Sequence, residues 1–175
     1  MGRVAKGLLL KQFKKVDLVE PVGALLEKAK TYVESDRAEN FFEESLQLFD
    51  PEGNRYDFIW NQWVLLYLAD DDLVAYLQRC AESLREHGLI CVKENVVMEG
   101  QFVVDDEDNS ITRTHAQYRE VFEKAGLELV LEQRQMDWPQ ELFPVMMYAL
   151  RPKIYMHVEK DGDKVDEAVA STTAA

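Results

Sequence analysis

The order of helices and strands is the feature of this sequence that most limits its fold. Segments with helical periodicity alternate with short apolar segments typical of strands, and the last two strand segments, 127–131 and 145–150, have no helix between them. Alternating strands and helices predict a mostly parallel sheet covered by helices, and the final pair predicts an antiparallel closing strand. We therefore expect an α/β fold with an open, doubly wound sheet.

The segments can be placed by their periodicity and by their flanking residues. Three consecutive acids, Asp70, Asp71 and Asp72, favour a helix start because carboxylates stabilise the positive end of the helix dipole. Residues 56–60 are almost continuously apolar, which predicts a strand buried on both faces, and Gly88 is interpreted as a helix C-cap. Further helices are predicted at about 3–15, 22–33 and 115–125, further strands at 16–20, 39–43 and 89–92, and a polar loop from there to about 114. We assign 1–153 to one domain and 154–175 to an acidic, disordered tail.

Composition excludes several classes of function. The chain has 33 acidic against 20 basic residues and a net charge of −13, which repels phosphate backbones and attracts a basic partner such as a Lys/Arg-rich peptide. Its two cysteines, Cys80 and Cys91, occupy apolar positions, read as small buried hydrophobes and suit a reducing compartment. No apolar run approaches the roughly 20 residues of a membrane span. We expect neither nucleic-acid binding nor a membrane segment.

Polar residues that follow three of the predicted strands are the candidates for a site, because ligands of open α/β sheets bind at the carboxyl ends of strands. Glu20 could accept hydrogen bonds from ribose hydroxyls, or it could serve solubility alone. Trp60 and Trp63 flank the amide of Gln62 and could form an aromatic wall with a polar group. Alternatively, both tryptophans are core residues and Gln62 satisfies a loop amide.

A third group, Asn95 and the acids of 105–108, could hold an amine or another cation, or could be a solvated acidic loop. The loop lacks the glycine and terminal glutamate of a calcium site. No histidine stands at metal-ligand spacing from a cysteine or an acid, so we predict no metal.

Six segments taken together resemble one family. They are GRVAKGLLLKQFKKVDLVEP, ESLQLF, YDFIWNQWV, VKEN, DDEDNSITR and PQELFPVMMYALRP. In this order they are similar to the protein alpha-N-terminal methyltransferases. The resemblance implies a class I methyltransferase fold, the cofactor S-adenosyl-L-methionine, and methylation of the free amino terminus of proteins that begin Xaa-Pro-Lys. It also implies basic N-terminal peptides as partners and residence in the cytoplasm and nucleus.

The resemblance implies a role for each matching residue. Gly2 and Arg3 would meet the carboxylate of the cofactor and Glu20 its ribose, with Leu46 and Gln47 along the adenine and Gln62 near the methionine end. Trp63 would form the wall of the peptide channel. Asn95 would hold the substrate amino terminus, with Asp105 and Asp108 facing the amine and the lysine of the substrate. Asn95 and Asp108 are the expected catalytic residues.

Two departures from the family pattern bear on activity. Tyr67 replaces the histidine that is the family's candidate base. An aspartate with a pKa of about 4 is a poor base for an amine with a pKa of about 8, whereas binding the neutral amine costs only about 1.4 kcal/mol. We therefore expect slower turnover from this change. The chain also starts inside the glycine-rich cofactor loop, so we expect an N-terminally truncated domain without its first strand.

Three other functions fit the sequence less well. The first is a truncated, noncatalytic peptide-binding module of the same family, which would keep the acidic channel and hold no cofactor. A small-molecule methyltransferase would have no need of a peptide channel. A dehydrogenase is disfavoured by the closing pair of strands.

Overall fold

The computed structural model describes residues 2–153, and their contacts group into two units that divide between Asp50 and Pro51. In the first unit, residues 3–12 are helical: Ala5–Leu9 is wound as a π-helix, and α1 (Leu10–Gln12) follows it. The other elements are β1 (Val16–Val19), α2 (Gly23–Val33) and β2 (Ala38–Phe42). The two strands pair in parallel. The buried core of this unit includes Ala5, Leu10, Val16 and Val33.

The second unit contains the remaining elements. The strands are β3 (Tyr56–Gln62), β4 (Leu84–Asn95), β5 (Val103–Asp105), β6 (Ser110–Thr112), β7 (Leu127–Arg134) and β8 (Val145–Pro152). The helices are a 3-10 turn (Leu65–Tyr67), α3 (Asp70–Ser83) and α4 (His115–Lys124). A four-stranded sheet has the order β3-β4-β8-β7, and β5 and β6 form a separate hairpin.

The pairing in the four-stranded sheet confirms the predicted closing strand. Strands β3 and β4 are parallel, and β8 lies between β4 and β7, antiparallel to both. Helices α3 and α4 contact each other, and they contact β4 and β7 respectively. The side chains between them form the core of this unit, with Leu73, Leu77, Ile90, Tyr118 and Leu150 all fully buried.

Three sequence predictions differ from the structure. The strand at 56–60 is half-buried, with Asp57 exposed, because β3 is an edge strand of its sheet. Gly88 does not cap a helix: α3 ends at Ser83, the chain continues directly into β4, and the left-handed residue is His87. The polar loop before residue 114 contains the β5–β6 hairpin. The segment 154–175, predicted to be a disordered tail, lies outside the described residues, and the single domain over 1–153 stays a prediction.

Burial keeps the thiols of both cysteines protonated. Cys80 is buried and Cys91 is half-buried. Desolvation raises the pKa of the Cys80 thiol to about 12 and that of the Cys91 thiol to about 11. Both thiols are therefore protonated at neutral pH, as expected of small hydrophobic residues. Within residues 2–153, no helix is long and apolar enough to cross a membrane.

Candidate active site at the carboxyl ends of two parallel strands

The ends of β3 and β4 bring two predicted site segments together. Gln62 lies opposite Lys93 in the parallel register, so the residues that follow each strand emerge side by side. The backbone N–H of Trp63 donates to the carbonyl of Lys93 at 3.1 Å, and Trp63 turns away from the strand at a φ of 52°. Positive φ is uncommon for a bulky residue, and it is maintained only where the surroundings fix it.

The side chain of Trp63 then makes the central contact of the site. Its indole Nε1–H donates to Oδ1 of Asn95 at 3.2 Å, and both side chains are half-buried. The ammonium of Lys93 lies 5.7 Å from the centre of the Trp63 ring. The amide that was predicted to hold an amine and the predicted aromatic wall are therefore one hydrogen-bonded pair.

Trp138 extends this aromatic surface and was not predicted. Its ring centre lies 6.2 Å from that of Trp63 with a 39° angle between the planes. Its own Nε1–H donates to the carbonyl of Phe143 at 2.9 Å, which holds the connection between β7 and β8 in a turn. A tryptophan directly before a proline, in the segment DWPQELFP, was the available sequence signal.

The predicted acidic residues lie on the hairpin. Asp105 ends β5 opposite Ser110, and its Oδ1 accepts from the backbone N–H of Glu107 at 2.9 Å. Oδ1 of Asp108 accepts from the backbone N–H of Ser110 at 3.0 Å, and its Oδ2 accepts from the hydroxyl of Tyr67 at 3.2 Å. Both carboxylates belong to exposed residues. The contact with Tyr67 connects the hairpin to the segment that follows Trp63.

Electrostatics fix the protonation of this pair. Hydrogen bonds from the side chain and backbone of Ser110, with a smaller one from Tyr67, hold the pKa of Asp108 below its usual range. Desolvation and the charge of Asp108 raise the pKa of Tyr67. At neutral pH the first is a carboxylate and the second a neutral phenol, so neither is suited to take a proton from an ammonium group.

Two buried charged side chains beneath the turn after Trp63 were also not predicted from the sequence. Glu94 and Arg113 are both fully buried, within the motifs VKEN and DDEDNSITR. The carboxylate accepts from the backbone of the segment after Trp63, and the guanidinium pairs with Asp70. Burial of a single acid and a single base in two separate motifs leaves no periodic signal in the sequence.

The remaining predicted cofactor residues lie partly in the first unit and partly in the second. In the first unit, Gly2 has a φ of 76°, and a Cβ there would lie 2.9 Å from Cγ2 of Val33. Arg3 is exposed at the start of the helical segment, and Oε1 of Glu20 accepts from the N–H of Val22 at 3.0 Å. Leu46 and Gln47 lie in the turn that follows β2. In the second unit, Oε1 of Gln62 accepts from Nε1–H of Trp60 at 3.1 Å.

Comparison with known proteins identifies the family. Residues 1–151 match the family described as AdoMet dependent proline di-methyltransferase. The chain belongs to this family. An alpha N-terminal protein methyltransferase 1 of Schizosaccharomyces pombe is 48% identical over 153 residues, which is 87% of this chain and 68% of that protein. An N-terminal Xaa-Pro-Lys N-methyltransferase 1 of Danio rerio is 45% identical over 86% of this chain and 68% of its own length.

A solved structure of a SAM-dependent methyltransferase from Leishmania major agrees with the fold. It has a TM-score of 0.82 and 39% identity, and the match covers 86% of this chain and 60% of that one. The α/β fold and the family resemblance predicted from the motifs are confirmed. The chain therefore spans about two thirds of the length of these relatives, and the family to which it belongs uses S-adenosylmethionine.

Three of the predicted cofactor residues in the first unit have chemistry that suits this cofactor. Arg3 supplies an exposed guanidinium. A guanidinium can form strong, charge-assisted hydrogen bonds with a carboxylate such as that of the cofactor's methionine. Glu20 stands just past the end of β1 with one oxygen held by the backbone, an orientation that suits a ribose diol. Only glycine fits the crowded, left-handed position of Gly2.

Proposed function

We propose that this chain is an S-adenosylmethionine-dependent methyltransferase for the alpha-amino group of proteins that begin Xaa-Pro-Lys. One observation carries the proposal: the indole of Trp63 donates to Asn95 at the carboxyl ends of β3 and β4. This contact joins an aromatic surface, suited to an apolar proline, to an amide oxygen, suited to an amine. The names of the relatives add the substrate class.

The residues of the second unit would position the amine. The carbonyl oxygen of Asn95 has two lone pairs, and Trp63 takes one of them, so the second is left for an amine N–H. Asp105 and Asp108 place two carboxylates on the hairpin, and the net charge of −13 attracts a cationic peptide end. These two carboxylates would face the amine and the lysine of the substrate.

The amine has to react in its neutral form. Asp108 is held as a carboxylate and Tyr67 as a phenol, so neither removes the proton, and the reaction draws on the neutral amine, about a tenth of the population at pH 7. The proton that leaves the nitrogen passes to water. Asp108 then orients the amine and balances the positive charge that develops on it.

The first unit would hold the cofactor through Gly2, Arg3, Glu20, Leu46 and Gln47. When bound, S-adenosylmethionine would supply a methyl group carried on a sulfonium. Positioning of the amine and exclusion of water are what the protein contributes. We propose residence in the cytoplasm and nucleus on the family resemblance alone.

Calorimetric titration of the full chain tests the proposal and its nearest alternative. S-adenosylhomocysteine and a peptide that begins Xaa-Pro-Lys would be titrated separately, with an N-acetylated peptide as the control. Micromolar binding of the first two and weaker binding of the control support the enzyme. Peptide binding without any cofactor binding would instead support a noncatalytic peptide-binding module.

A further inference from the structure

Glu94 is a buried carboxylate beside the site for which the proposed mechanism has no use. It precedes Asn95 on β4, and successive side chains of a strand point to opposite faces. Its Oε1 accepts from the backbone N–H groups of Val64 and Leu65, both at 2.9 Å. Two neighbouring residues of one strand therefore hold the segment at Trp63: Asn95 through the indole, and Glu94 through the backbone that follows.

Arg113 holds the same segment through its carbonyl groups. The guanidinium donates to the carbonyls of Leu65 at 3.4 Å and Leu68 at 2.5 Å, and it pairs with Asp70 at 2.7 Å. The backbone of Arg113 is itself fixed, because its carbonyl accepts from the N–H of Val97 at 2.9 Å. The turn between β3 and α3 thus has two N–H groups bound to a buried carboxylate and two carbonyls bound to a buried guanidinium.

This turn carries two side chains that make hydrogen bonds within the site, those of Trp63 and Tyr67. It begins at Trp63, whose φ of 52° requires surroundings that compensate the strain, and it includes Tyr67, which donates to Asp108. A shift of this turn would move the indole away from Asn95 and the phenol away from the hairpin. The hydrogen bonds of Glu94 and Arg113 to the backbone of the turn oppose such a shift.

We propose that Glu94 is a positioning residue of the peptide site, acting through the N–H groups of Val64 and Leu65 to hold Trp63 and Tyr67 in place. The inference rests on the proposed function only for its kinetic readout. The charged and titratable groups that face the carboxylate are Arg113, Tyr118 and Tyr67. Its Oε2 is buried and has no hydrogen-bond partner among the described residues, and the ionised state is favoured by the backbone hydrogen bonds of the turn and by the charge of Arg113.

Two variants separate this role from simple packing. Glu94→Gln keeps an acceptor oxygen of the same size and removes the charge, whereas Glu94→Leu removes the acceptor as well. Glu86→Gln is the matched control, since it removes one exposed carboxylate from the same strand. The first readout is hydrogen-exchange protection of the Val64 and Leu65 amides in the full chain, which needs no activity. The second readout compares the change in KM for an Xaa-Pro-Lys peptide with the changes in kcat and in the Kd of S-adenosylhomocysteine.

The expected results follow from the strength of charged hydrogen bonds. Glu94→Gln lowers the protection of both amides about 3- to 10-fold at pH 8 and raises the peptide KM by a similar factor, with the cofactor Kd unchanged. Glu94→Leu abolishes that protection and raises KM more than about tenfold. Glu86→Gln changes neither. If wild-type chain shows no transfer, the proposed function fails, and the exchange data alone still decide the role of Glu94.

Retained protection at Val64 and Leu65 in Glu94→Leu would overturn the proposal. An equal weakening of cofactor and peptide binding would also overturn it, because that pattern indicates a general loss of folding. Should Glu94→Leu not fold, Glu94→Gln decides alone: unchanged amide protection at pH 8 would then overturn the proposal.

Discussion

The hydroxyl of Tyr67 donates to Oδ2 of Asp108 at 3.2 Å. The contact closes the β5–β6 hairpin against the turn that follows β3, and it places a phenol where the family resemblance leads one to expect a histidine. A phenol whose pKa is raised cannot accept a proton at neutral pH, and it can only donate to the carboxylate. The substitution therefore changes the proton chemistry of the site while keeping a hydrogen bond to the hairpin.

The pH dependence of the reaction should report this change. Because the amine must lose its proton unaided, kcat/KM of the wild-type chain is expected to rise about tenfold per pH unit below pH 8 and to level above it. The pKa of Asp108 is lowered, so this residue adds no acid limb between pH 5 and 9. Tyr67→His should raise kcat/KM about 3- to 10-fold at pH 7, because a neutral imidazole can accept the proton. A flat wild-type profile from pH 6.5 to 8 would contradict this.

The hydrogen bond between Trp63 and Asn95 can be tested by a double-mutant cycle. Trp63→Phe keeps an aromatic ring and removes the N–H, which should raise the peptide KM about fivefold, the value of one hydrogen bond. Asn95→Ala removes the partner. The two changes should be non-additive, with Trp63→Phe costing little in the Asn95→Ala background. Fully additive effects would show that the contact contributes nothing to peptide binding.

Arg113 should be far more important for stability than an exposed arginine. Arg113→Met leaves the carbonyls of Leu65 and Leu68 and the carboxylate of Glu94 without their cation, and it should lower the free energy of unfolding by about 3–5 kcal/mol. Arg119→Met on α4 removes only an exposed pair with Glu132 and should cost less than about 1 kcal/mol. Urea unfolding of both variants measures the difference, and equal losses would contradict the role of Arg113.

Glu94 should make stability fall as pH rises. Desolvation raises its pKa from 4.5 to about 7, against the opposing effect of its backbone hydrogen bonds and Arg113. The folded state therefore binds the proton more tightly than the unfolded state. The stabilisation is complete below about pH 4.5 and is lost as pH rises through 7, a change on the order of 3 kcal/mol.

Thermal unfolding of Glu94→Gln checks this sign. The variant lacks the titrating group, so its stability relative to wild type should improve between pH 5 and pH 8. Glu86→Gln, at an exposed position of the same strand, should keep a constant difference from wild type. A difference between Glu94→Gln and wild type that does not change with pH would contradict the raised pKa.

Local signals and one resemblance were enough to predict much of this molecule. The three acids at Asp70–72 marked the start of α3, and two strands without an intervening helix marked the antiparallel end of the sheet. The Asp-rich turn hid the β5–β6 hairpin, although β-branched residues on both sides of it were a signal for paired strands. A left-handed Asn109 in that turn fits the same interpretation.

The two buried charged residues could not be found in the same way. Glu94 and Arg113 look like solvated residues in sequence, because acids and arginines are mostly exposed. Their burial depends on the meeting of β4, the turn at Leu65–Leu68 and the start of α4, which are far apart along the chain. Only the fold brings a carboxylate to unpaired N–H groups and a guanidinium to carbonyls of the same turn.

The most direct test of the proposed function is the position of the methyl group. The full chain would be incubated with S-adenosylmethionine and a peptide that begins Xaa-Pro-Lys, and the product would be mapped by fragmentation mass spectrometry beside the N-acetylated peptide. The geometry at Trp63 and Asn95 predicts methylation of the alpha-amino nitrogen only and none of the acetylated peptide. Methyl groups on the lysine side chain, or binding of both ligands without any transfer, would contradict it.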